Sequence, residues 1–300
     1  MSRVPAHGVT NRGVPESGVP ARVGVLGGGR MGAGIAHAFL ISGSAVRVVE
    51  RDDASADAAA QRIRDSIRRS VQRDPSLDEN DLMLRYATGS DVAVFADCDL
   101  VIEAVPEDRA LKHEALARAE RAMRPGTVLA SNTSSISIDD LAAERRDPGR
   151  FLGLHFFNPV PASTLVEIVH GPRTEPSVVD DARRWIRGLG KTPIVVRDSP
   201  GFASSRLGVM LGLEAIRMLE EGVASAADID AAMELGYRHP AGPLRTTDIV
   251  GLDVRLGIAE ELERAYGERF APPALLRTMV AEGKLGRKSG EGFYVWNEET

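Results

Sequence analysis

The sequence has little cysteine, no long apolar run and no excess of positive charge, and each absence excludes a class of protein. Cys98 is the only cysteine, so an internal disulfide and a cysteine-based zinc site are excluded within this chain. No apolar run approaches the ~18 residues that suggest a membrane-spanning helix. A formal net charge of -6 argues against a general nucleic-acid-binding surface. We therefore expect a cytoplasmic protein that binds neither membrane nor nucleic acid.

The most informative segment begins with the apolar run Val23 to Leu26, which is typical of a strand buried on both faces of a parallel sheet. Glycines follow at positions 27, 29 and 32. We expect Gly27 to permit a tight turn, Gly29 to let a pyrophosphate approach the backbone, and Gly32 to let the next helix pack closely. This pattern predicts a dinucleotide site at the start of a helix, where free amide groups face phosphates.

An acidic residue at the end of the next strand indicates which dinucleotide binds. Glu50 follows the strand Val46 to Val49, about 20 residues beyond the glycine turn, where a carboxylate can bind the adenosine ribose hydroxyls. A negative charge there disfavours a 2′-phosphate, so we expect NAD. NADP stays open as an alternative, because an arginine such as Arg47 or Arg51 can accommodate that phosphate.

The composition of the chain changes twice. The first 20 residues are rich in Gly, Pro and Val and lack the patterns of signal and transit peptides, so we expect a disordered tail over residues 1–20. Strand and helix patterns then alternate up to Asp198, and helical patterns dominate beyond it. We predict an α/β fold, with a Rossmann-type doubly wound sheet domain over residues 21–198 and an all-helical C-terminal domain over residues 199–300.

Polar residues follow three strands and are expected at the edge of the sheet where a ligand binds. His155 ends an apolar strand, Glu167 lies within Leu165 to Val169, and the run Ser131 to Ser135 follows another strand. Histidine suits proton transfer because its ordinary pKa, ~6.5, is close to working pH, and a carboxylate on its second nitrogen can orient it. We predict that His155 is a general base partnered by Glu167.

Structural explanations of the same residues stay open. A histidine in an apolar strand is often only a packed core residue, and the Ser131 to Ser135 run could simply cap the helix that begins near Asp139. Glu167 favours the functional reading, because a carboxylate among apolar strand residues needs a partner.

These motifs together resemble those of the 3-hydroxyacyl-CoA dehydrogenases, in particular the short-chain 3-hydroxybutyryl-CoA dehydrogenases. The resemblance runs from Val23 to Trp296. It rests on the glycine turn and on Val101 to Glu107, Ala130 to Ser135, His155 to Pro161 with Glu167, Ser199 to Phe202, and Lys284 to Tyr294.

The resemblance implies an NAD-dependent, reversible oxidation of (S)-3-hydroxyacyl-CoA to 3-ketoacyl-CoA without a metal. His155, Glu167 and Ser134 would be catalytic, and the helical domain would form a homodimer. The resemblance and the glycine motif together place the cofactor on Gly27, Gly29, Arg30, Met31, Gly32, Glu50, Glu107, Lys112 and Asn132. The substrate would be bound by Ser134, Asn158 and Ser205.

One position departs from the family pattern. Ser205 stands where the family has asparagine, so a hydroxyl donor is kept while the reach and the second function of the amide are lost. Two alternative functions therefore stay open. One is a dehydrogenase of a CoA-free hydroxy or sugar acid on the same scaffold, and the other is a non-catalytic NAD-binding protein.

Overall fold

The computed structural model describes residues 18–296, and the chain divides into two compact units between Asp198 and Ser199. Of the disordered tail expected over residues 1–20, residues 1–17 lie outside the described residues. The last three residues belong instead to the first unit. The Val19 side chain is fully buried, and the Ser44 hydroxyl donates a hydrogen bond of 2.7 Å to the Pro20 carbonyl. Burial of the Val19 side chain favours this ordered conformation and corrects the tail boundary.

The first unit is built on one eight-stranded sheet with the order β3-β2-β1-β4-β5-β6-β7-β8. Its strands are β1 (Arg22–Leu26), β2 (Ala45–Val49), β3 (Tyr86–Gly89), β4 (Leu100–Glu103), β5 (Val128–Ser131), β6 (Phe151–Phe156), β7 (Leu165–His170) and β8 (Thr192–Arg197). The first six strands are parallel, β7 runs antiparallel to β6, and β8 is parallel to β7. The order of the first six is that of a dinucleotide-binding sheet, which confirms the predicted Rossmann-type fold.

Six α-helices connect these strands. They are α1 (Arg30–Ile41), α2 (Asp53–Arg73), α3 (Glu79–Arg85), α4 (Arg109–Ala122), α5 (Ile138–Ala142) and α6 (Pro176–Gly188). Every residue of β4, β5 and β6 is buried, as expected for strands in the middle of a parallel sheet. Three of these buried residues are nevertheless polar, Glu103, Ser131 and His155, and they lie at or near the carboxyl ends of their strands.

The second unit contains five α-helices in the part that the structure describes. They are α7 (Ser204–Glu220), α8 (Ala226–Tyr237), α9 (Pro243–Val250), α10 (Leu252–Tyr266) and α11 (Ala274–Ala281). Their core includes Leu213, Ile216, Leu244, Leu262 and Leu276. This unit confirms the predicted helical C-terminal architecture. None of the helices in residues 18–296 is long and apolar enough to cross a membrane.

Three local features differ from the sequence expectations. The strand β3 was not predicted, because Tyr-Ala-Thr-Gly is short and lies half-exposed at the sheet edge. The helical pattern over residues 248–265 predicts one helix, but the structure has two, since Gly251 has φ +107°, a conformation that ends α9 and that glycine adopts readily. The sequence of Gly292 to Trp296 has a strand-like pattern, but in the structure this segment takes part only in an isolated bridge between Glu291 and Val295.

Candidate active site

The glycine turn after β1 packs tightly on one side and is open on the other. Gly27 has φ +96°, and a Cβ atom there would lie 2.9 Å from the Ala104 carbonyl oxygen. A Cβ atom on Gly32 would lie 1.7 Å from the Gly27 carbonyl oxygen, so α1 packs directly on the turn. A Cβ atom on Gly29, in contrast, would meet no described atom within 4 Å. The turn therefore leaves open space beside the backbone of Gly29.

Helix α1 begins without the side-chain cap that α2 to α5 possess. Those four helices are capped by Asp52, Asp78, Asp108 and Ser137. The N-cap of α1 is Gly29, and the first turn, which includes Arg30 and Met31, carries no acidic side chain. The first amide groups of α1 and its positive dipole end thus suit an anionic phosphate group.

Glu50 lies beside the same turn, just beyond β2. The Gly28 amide donates a hydrogen bond of 2.6 Å to Glu50 Oε1, and the Arg51 amide donates one of 3.3 Å to Oε2. The Arg51 side chain is exposed and pairs with Asp52 at 3.0 Å. These contacts hold a carboxylate at the carboxyl end of β2, where the ribose of a dinucleotide binds in this kind of sheet.

A buried ion pair lies at the carboxyl end of β4. The Lys112 ammonium is 2.7 Å from Glu103 Oε1, 3.1 Å from the Val105 carbonyl oxygen and 3.3 Å from Glu107 Oε2. Lys112 is 1% exposed, and these three contacts match the three donors of its ammonium. This arrangement holds Glu107 in place, and a contact between Lys112 and a ribose stays a prediction.

The Glu103 carboxylate also accepts hydrogen bonds from β5 and from the loop that follows β4. The Ser131 hydroxyl donates to Oε2 at 2.5 Å, and the Val105 amide donates to Oε1 at 2.7 Å. Burial raises the pKa of Glu103 above its ordinary value, against the opposing effects of the Lys112 charge and these hydrogen bonds. The sequence motif contained Glu103, but only the packing of β4 against its neighbours reveals that it is fully buried.

Glu107 is the common hydrogen-bond acceptor of the polar residues that follow β5. Its Oε1 accepts hydrogen bonds from the Thr133 hydroxyl at 2.6 Å, the Ser134 amide at 2.8 Å, and the Ser134 and Ser135 hydroxyls at 3.1 Å each. Burial alone would raise the pKa of Glu107, but the Lys112 charge and these hydrogen bonds outweigh it and lower the pKa. A negative carboxylate therefore anchors the whole loop.

The alternative role of this loop as a helix cap is wrong. Helix α5 is capped by Ser137, whose hydroxyl accepts a hydrogen bond of 3.1 Å from the Asp140 amide. Thr133 and Ser135, to which sequence analysis assigned no role, bind Glu107 together with Ser134. Their shared partner lies in the loop after β4, and local sequence patterns carry no signal of this long-range contact.

His155 and Glu167 form a buried pair across two strands. They are directly opposed in the antiparallel register of β6 and β7, and His155 Nδ1 lies 2.7 Å from Glu167 Oε2. Their side chains are 8% and 0% exposed. Because a carboxylate only accepts, Nδ1 donates the hydrogen bond, and the lone pair of the neutral ring is on Nε2. The Phe157 ring packs against the imidazole, with ring centroids 4.4 Å apart.

The structure places the remaining predicted residues in three different environments. The Asn132 side-chain oxygen accepts a hydrogen bond of 2.9 Å from the Phe156 amide, which ties the loop after β5 to the end of β6. Asn158 is exposed in the loop after β6. Ser205 is half-buried in the first turn of α7, in the second unit.

Comparison with known protein families accounts for both units of the chain. Residues 22–199 match the NAD-binding domain of 3-hydroxyacyl-CoA dehydrogenase, and residues 201–296 match the C-terminal domain of the same family. The chain belongs to the 3-hydroxyacyl-CoA dehydrogenase family. This confirms the resemblance and, with it, an NAD-dependent oxidoreductase whose cofactor is NAD.

Similar proteins of this family come from several bacteria. The 3-hydroxybutyryl-CoA dehydrogenase of Mycobacterium tuberculosis is 43% identical over 280 residues, covering 92% of this chain and 98% of the relative. A probable 3-hydroxybutyryl-CoA dehydrogenase of Deinococcus radiodurans is 40% identical over 277 residues, covering 92% and 100%. The crystal structure of the (S)-3-hydroxybutyryl-CoA dehydrogenase of Ralstonia eutropha superimposes with a TM-score of 0.88 at 37% identity, covering 93% and 100%.

Proposed function

We propose that this protein catalyses the reversible oxidation of an (S)-3-hydroxyacyl-CoA, in particular 3-hydroxybutyryl-CoA, to the 3-ketoacyl-CoA with NAD as acceptor. The observation that carries the proposal is the buried pair of His155 and Glu167 at the sheet edge where the glycine turn also lies. The names of the similar proteins support the substrate class.

His155 is the proposed general base. Its Nδ1 hydrogen is held by Glu167, so Nε2 is the nitrogen that accepts the proton of the substrate hydroxyl. The charge that then develops on the imidazole is stabilised by the buried carboxylate 2.7 Å away. In the reverse direction the same nitrogen returns the proton to the ketone oxygen.

The cofactor is proposed to bind along the open edge of the sheet. The backbone of Gly27, Gly29 and Gly32, with the helix start at Arg30 and Met31, would hold the pyrophosphate, and Glu50 would hold the adenosine ribose. Glu107 and Asn132 would face the nicotinamide ribose, and Lys112, whose ammonium lies 3.3 Å from Glu107 Oε2, would contribute to the same part of the site. When bound, NAD supplies the carbon that accepts hydride.

The substrate is proposed to contact Ser134, Asn158 and Ser205. The single hydroxyl hydrogen of Ser134 is directed at Glu107 in this structure. Rotation of that hydroxyl would let Ser134 donate to the substrate oxygen while its amide keeps the bond to Glu107. Ser205 would offer a hydroxyl where the family has an amide.

The direct test is NADH consumption with acetoacetyl-CoA, run beside NADPH and beside free acetoacetate. We expect rapid oxidation of NADH with the thioester only. Turnover of free acetoacetate or of another CoA-free acid would instead support the second dehydrogenase alternative. Tight NADH binding with no turnover of any acyl-CoA would support the non-catalytic alternative and contradict the proposal.

We also propose a homodimer formed through the second unit. Several large apolar side chains of this unit are exposed in the single chain, among them Leu207, Val223, Leu235 and Tyr237. Contiguous apolar patches on a surface mark sites that bind another protein, and these side chains are the candidates for such a patch. Sedimentation at micromolar concentration should show a dimer, and a stable monomer would contradict the proposal. The cytoplasmic location expected from the sequence stays a prediction.

A further inference from the structure

The loop over residues 157–164, which connects β6 to β7, buries little of its own surface. Most of its side chains are exposed, namely those of Asn158, Pro159, Pro161, Ala162 and Thr164. Val160 is its one buried residue and packs on α1, where a Cβ atom on Gly34 would lie 2.9 Å from Val160 Cβ. A segment with so little buried apolar surface needs other contacts to keep one conformation.

The Lys191 ammonium supplies two such contacts from outside the loop. It donates hydrogen bonds of 2.7 Å to the Val160 carbonyl oxygen and of 2.5 Å to the Ser163 carbonyl oxygen. The amides of Ala162 and Ser163 donate instead to the Pro159 carbonyl oxygen, at 3.0 Å each. Burial lowers the pKa of Lys191 below its ordinary value, as expected for an ammonium that is partly removed from water. One cation therefore joins two carbonyl groups of the loop.

The backbone around Lys191 is itself held in place. The Lys191 amide donates a hydrogen bond of 3.1 Å to the Ile186 carbonyl oxygen of α6, and the Thr192 amide donates one of 2.6 Å to the Thr164 carbonyl oxygen. Lys191 directly precedes β8, which pairs in parallel with β7, the strand that carries Glu167. The ammonium thus connects the loop to the sheet that holds the imidazole–carboxylate pair.

The first residues of the loop lie beside the proposed base. Glu167 binds Nδ1 of His155 at 2.7 Å, and the Phe157 ring packs against the imidazole, with ring centroids 4.4 Å apart. Asn158, which we propose to contact the substrate, comes next. Val160 is three residues beyond Phe157, so the chain between them spans at most about 11 Å. Fixing the Val160 carbonyl therefore limits where the Phe157 ring can move.

We propose that Lys191 is a positioning residue, whose ammonium holds the loop over residues 157–164 so that Phe157 keeps the His155 imidazole in the orientation that turnover requires. The inference rests on the proposed function and adds to it a residue outside the predicted site. A displacement of about 1 Å can lower a rate about 10²-fold, so a contact remote from the reacting atoms can have a large effect on kcat.

The first test replaces Lys191 by methionine, which keeps a long side chain but removes every N–H donor. We expect kcat with acetoacetyl-CoA and NADH to fall about tenfold or more, with NADH affinity retained because the glycine turn keeps its contacts. Lys191→Arg keeps a cation with several donors and should recover part of the lost turnover. Arg187→Gln is the matched control, because it removes an exposed cation four residues earlier and should leave kcat unchanged.

A double-variant cycle tests whether the effect passes through Phe157. Phe157→Leu alone should lower kcat, and Lys191→Met should cause little further loss in that background, because the ring held by the loop is gone. A lysine with a merely structural role would give losses that multiply. Multiplied losses, wild-type kcat in Lys191→Met, or an equal loss in Arg187→Gln would each overturn the assignment. If Lys191→Met does not fold, Lys191→Gln takes its place in the cycle with the same expected results.

Nitrogen NMR of the histidine side chains separates failure of this inference from failure of the proposed function. The imidazole signals of His155, identified by their absence in His155→Gln, should shift in both Lys191→Met and Phe157→Leu and stay in place in Arg187→Gln. If no acyl-CoA is turned over and the signals still shift in this way, the activity is wrong and the Lys191 assignment holds. If Lys191→Met reduces acetoacetyl-CoA at the wild-type rate and the signals do not move, the activity holds and the Lys191 assignment is wrong.

Discussion

The Lys112 ammonium lies 2.7 Å from Glu103 Oε1, and the two side chains are 1% and 0% exposed. Each charge is buried because the other is present. The same ammonium lies 3.3 Å from Glu107, which belongs to the proposed cofactor site. Removal of this one cation is therefore expected to affect both the stability of the fold and the binding of NAD.

Replacement of Lys112 by methionine should lower the free energy of unfolding of the first unit by about 3–5 kcal/mol, because an unpaired carboxylate stays buried. Urea unfolding measures the change. The double variant Lys112→Met with Glu103→Gln should recover part of the loss, since it removes both charges. Equal stability of the single variant and wild type would show that the pair contributes nothing.

Two glycine substitutions should distinguish a glycine that the fold requires from a glycine that cofactor binding requires. Gly32→Ala should destabilise the first unit, because its methyl group would lie 1.7 Å from the Gly27 carbonyl oxygen. Gly29→Ala should fold normally, since no described atom lies within 4 Å of the added methyl group, but it should weaken NADH binding. Thermal unfolding measures the stability of both variants, and NADH titration measures their affinity for the cofactor. Wild-type NADH affinity in the Gly29→Ala variant would show that Gly29 is not part of the cofactor site.

Substitutions in the His155–Glu167 pair should affect turnover rather than cofactor affinity. His155→Gln should lower kcat by about 10²–10⁴-fold, the usual contribution of a general base, with NADH binding retained. Glu167→Gln should lower the rate and change the pH profile of kcat. The matched control is His170→Gln at the other end of β7, which should leave kcat and its pH profile unchanged. Near-normal turnover in His155→Gln would contradict its role as the base.

His37 should make the fold sensitive to mild acid. It is 2% exposed, Ser70 is its hydrogen-bond partner at 3.0 Å, and burial together with the Arg69 charge lowers its pKa from 6.5 to about 4. Below pH 6.5 the unfolded chain binds a proton that the folded chain does not, so stability falls as the pH falls from 6.5 to about 4.

The full effect of His37 is about 3 kcal/mol, since each pH unit between the two values corresponds to about 1.4 kcal/mol. His37→Gln should reduce the pH dependence of the unfolding free energy by this amount in that window and have no pH-dependent effect above it. Urea unfolding at pH 7.5, 6, 5 and 4 measures the difference. Parallel curves for wild type and variant would show that His37 does not contribute.

Local sequence patterns were sufficient for the elements that carry the cofactor turn. The apolar strand, the three glycines and the acid at position 50 each have a local physical reason, and the eight-stranded sheet contains the strands β1, β2, β4, β5, β6 and β8 that the sequence predicts. The strand β3 was missed because its four residues are stabilised by pairing with β2 rather than by an apolar pattern of their own.

The polar interior of the site could be predicted only in part. His155 and Glu167 lie on neighbouring strands, and the need of a buried carboxylate for a partner, together with the family resemblance, predicted that they form a pair. The burial of Lys112 could not be inferred, because a lysine in a helical pattern is usually exposed and only its packing against β4 removes it from solvent.

The reversed direction of β7 has a consequence for how the chain can vary in length. His155 and Glu167 face each other because the ladder between β6 and β7 sets their register, and the connecting loop over residues 157–164 does not. A change in the length of that loop can preserve the pair. A deletion of one residue inside β7 before Glu167 would move the carboxylate to the opposite face of the sheet, since side chains alternate along a strand. Strand length, rather than loop length, therefore preserves the imidazole–carboxylate contact.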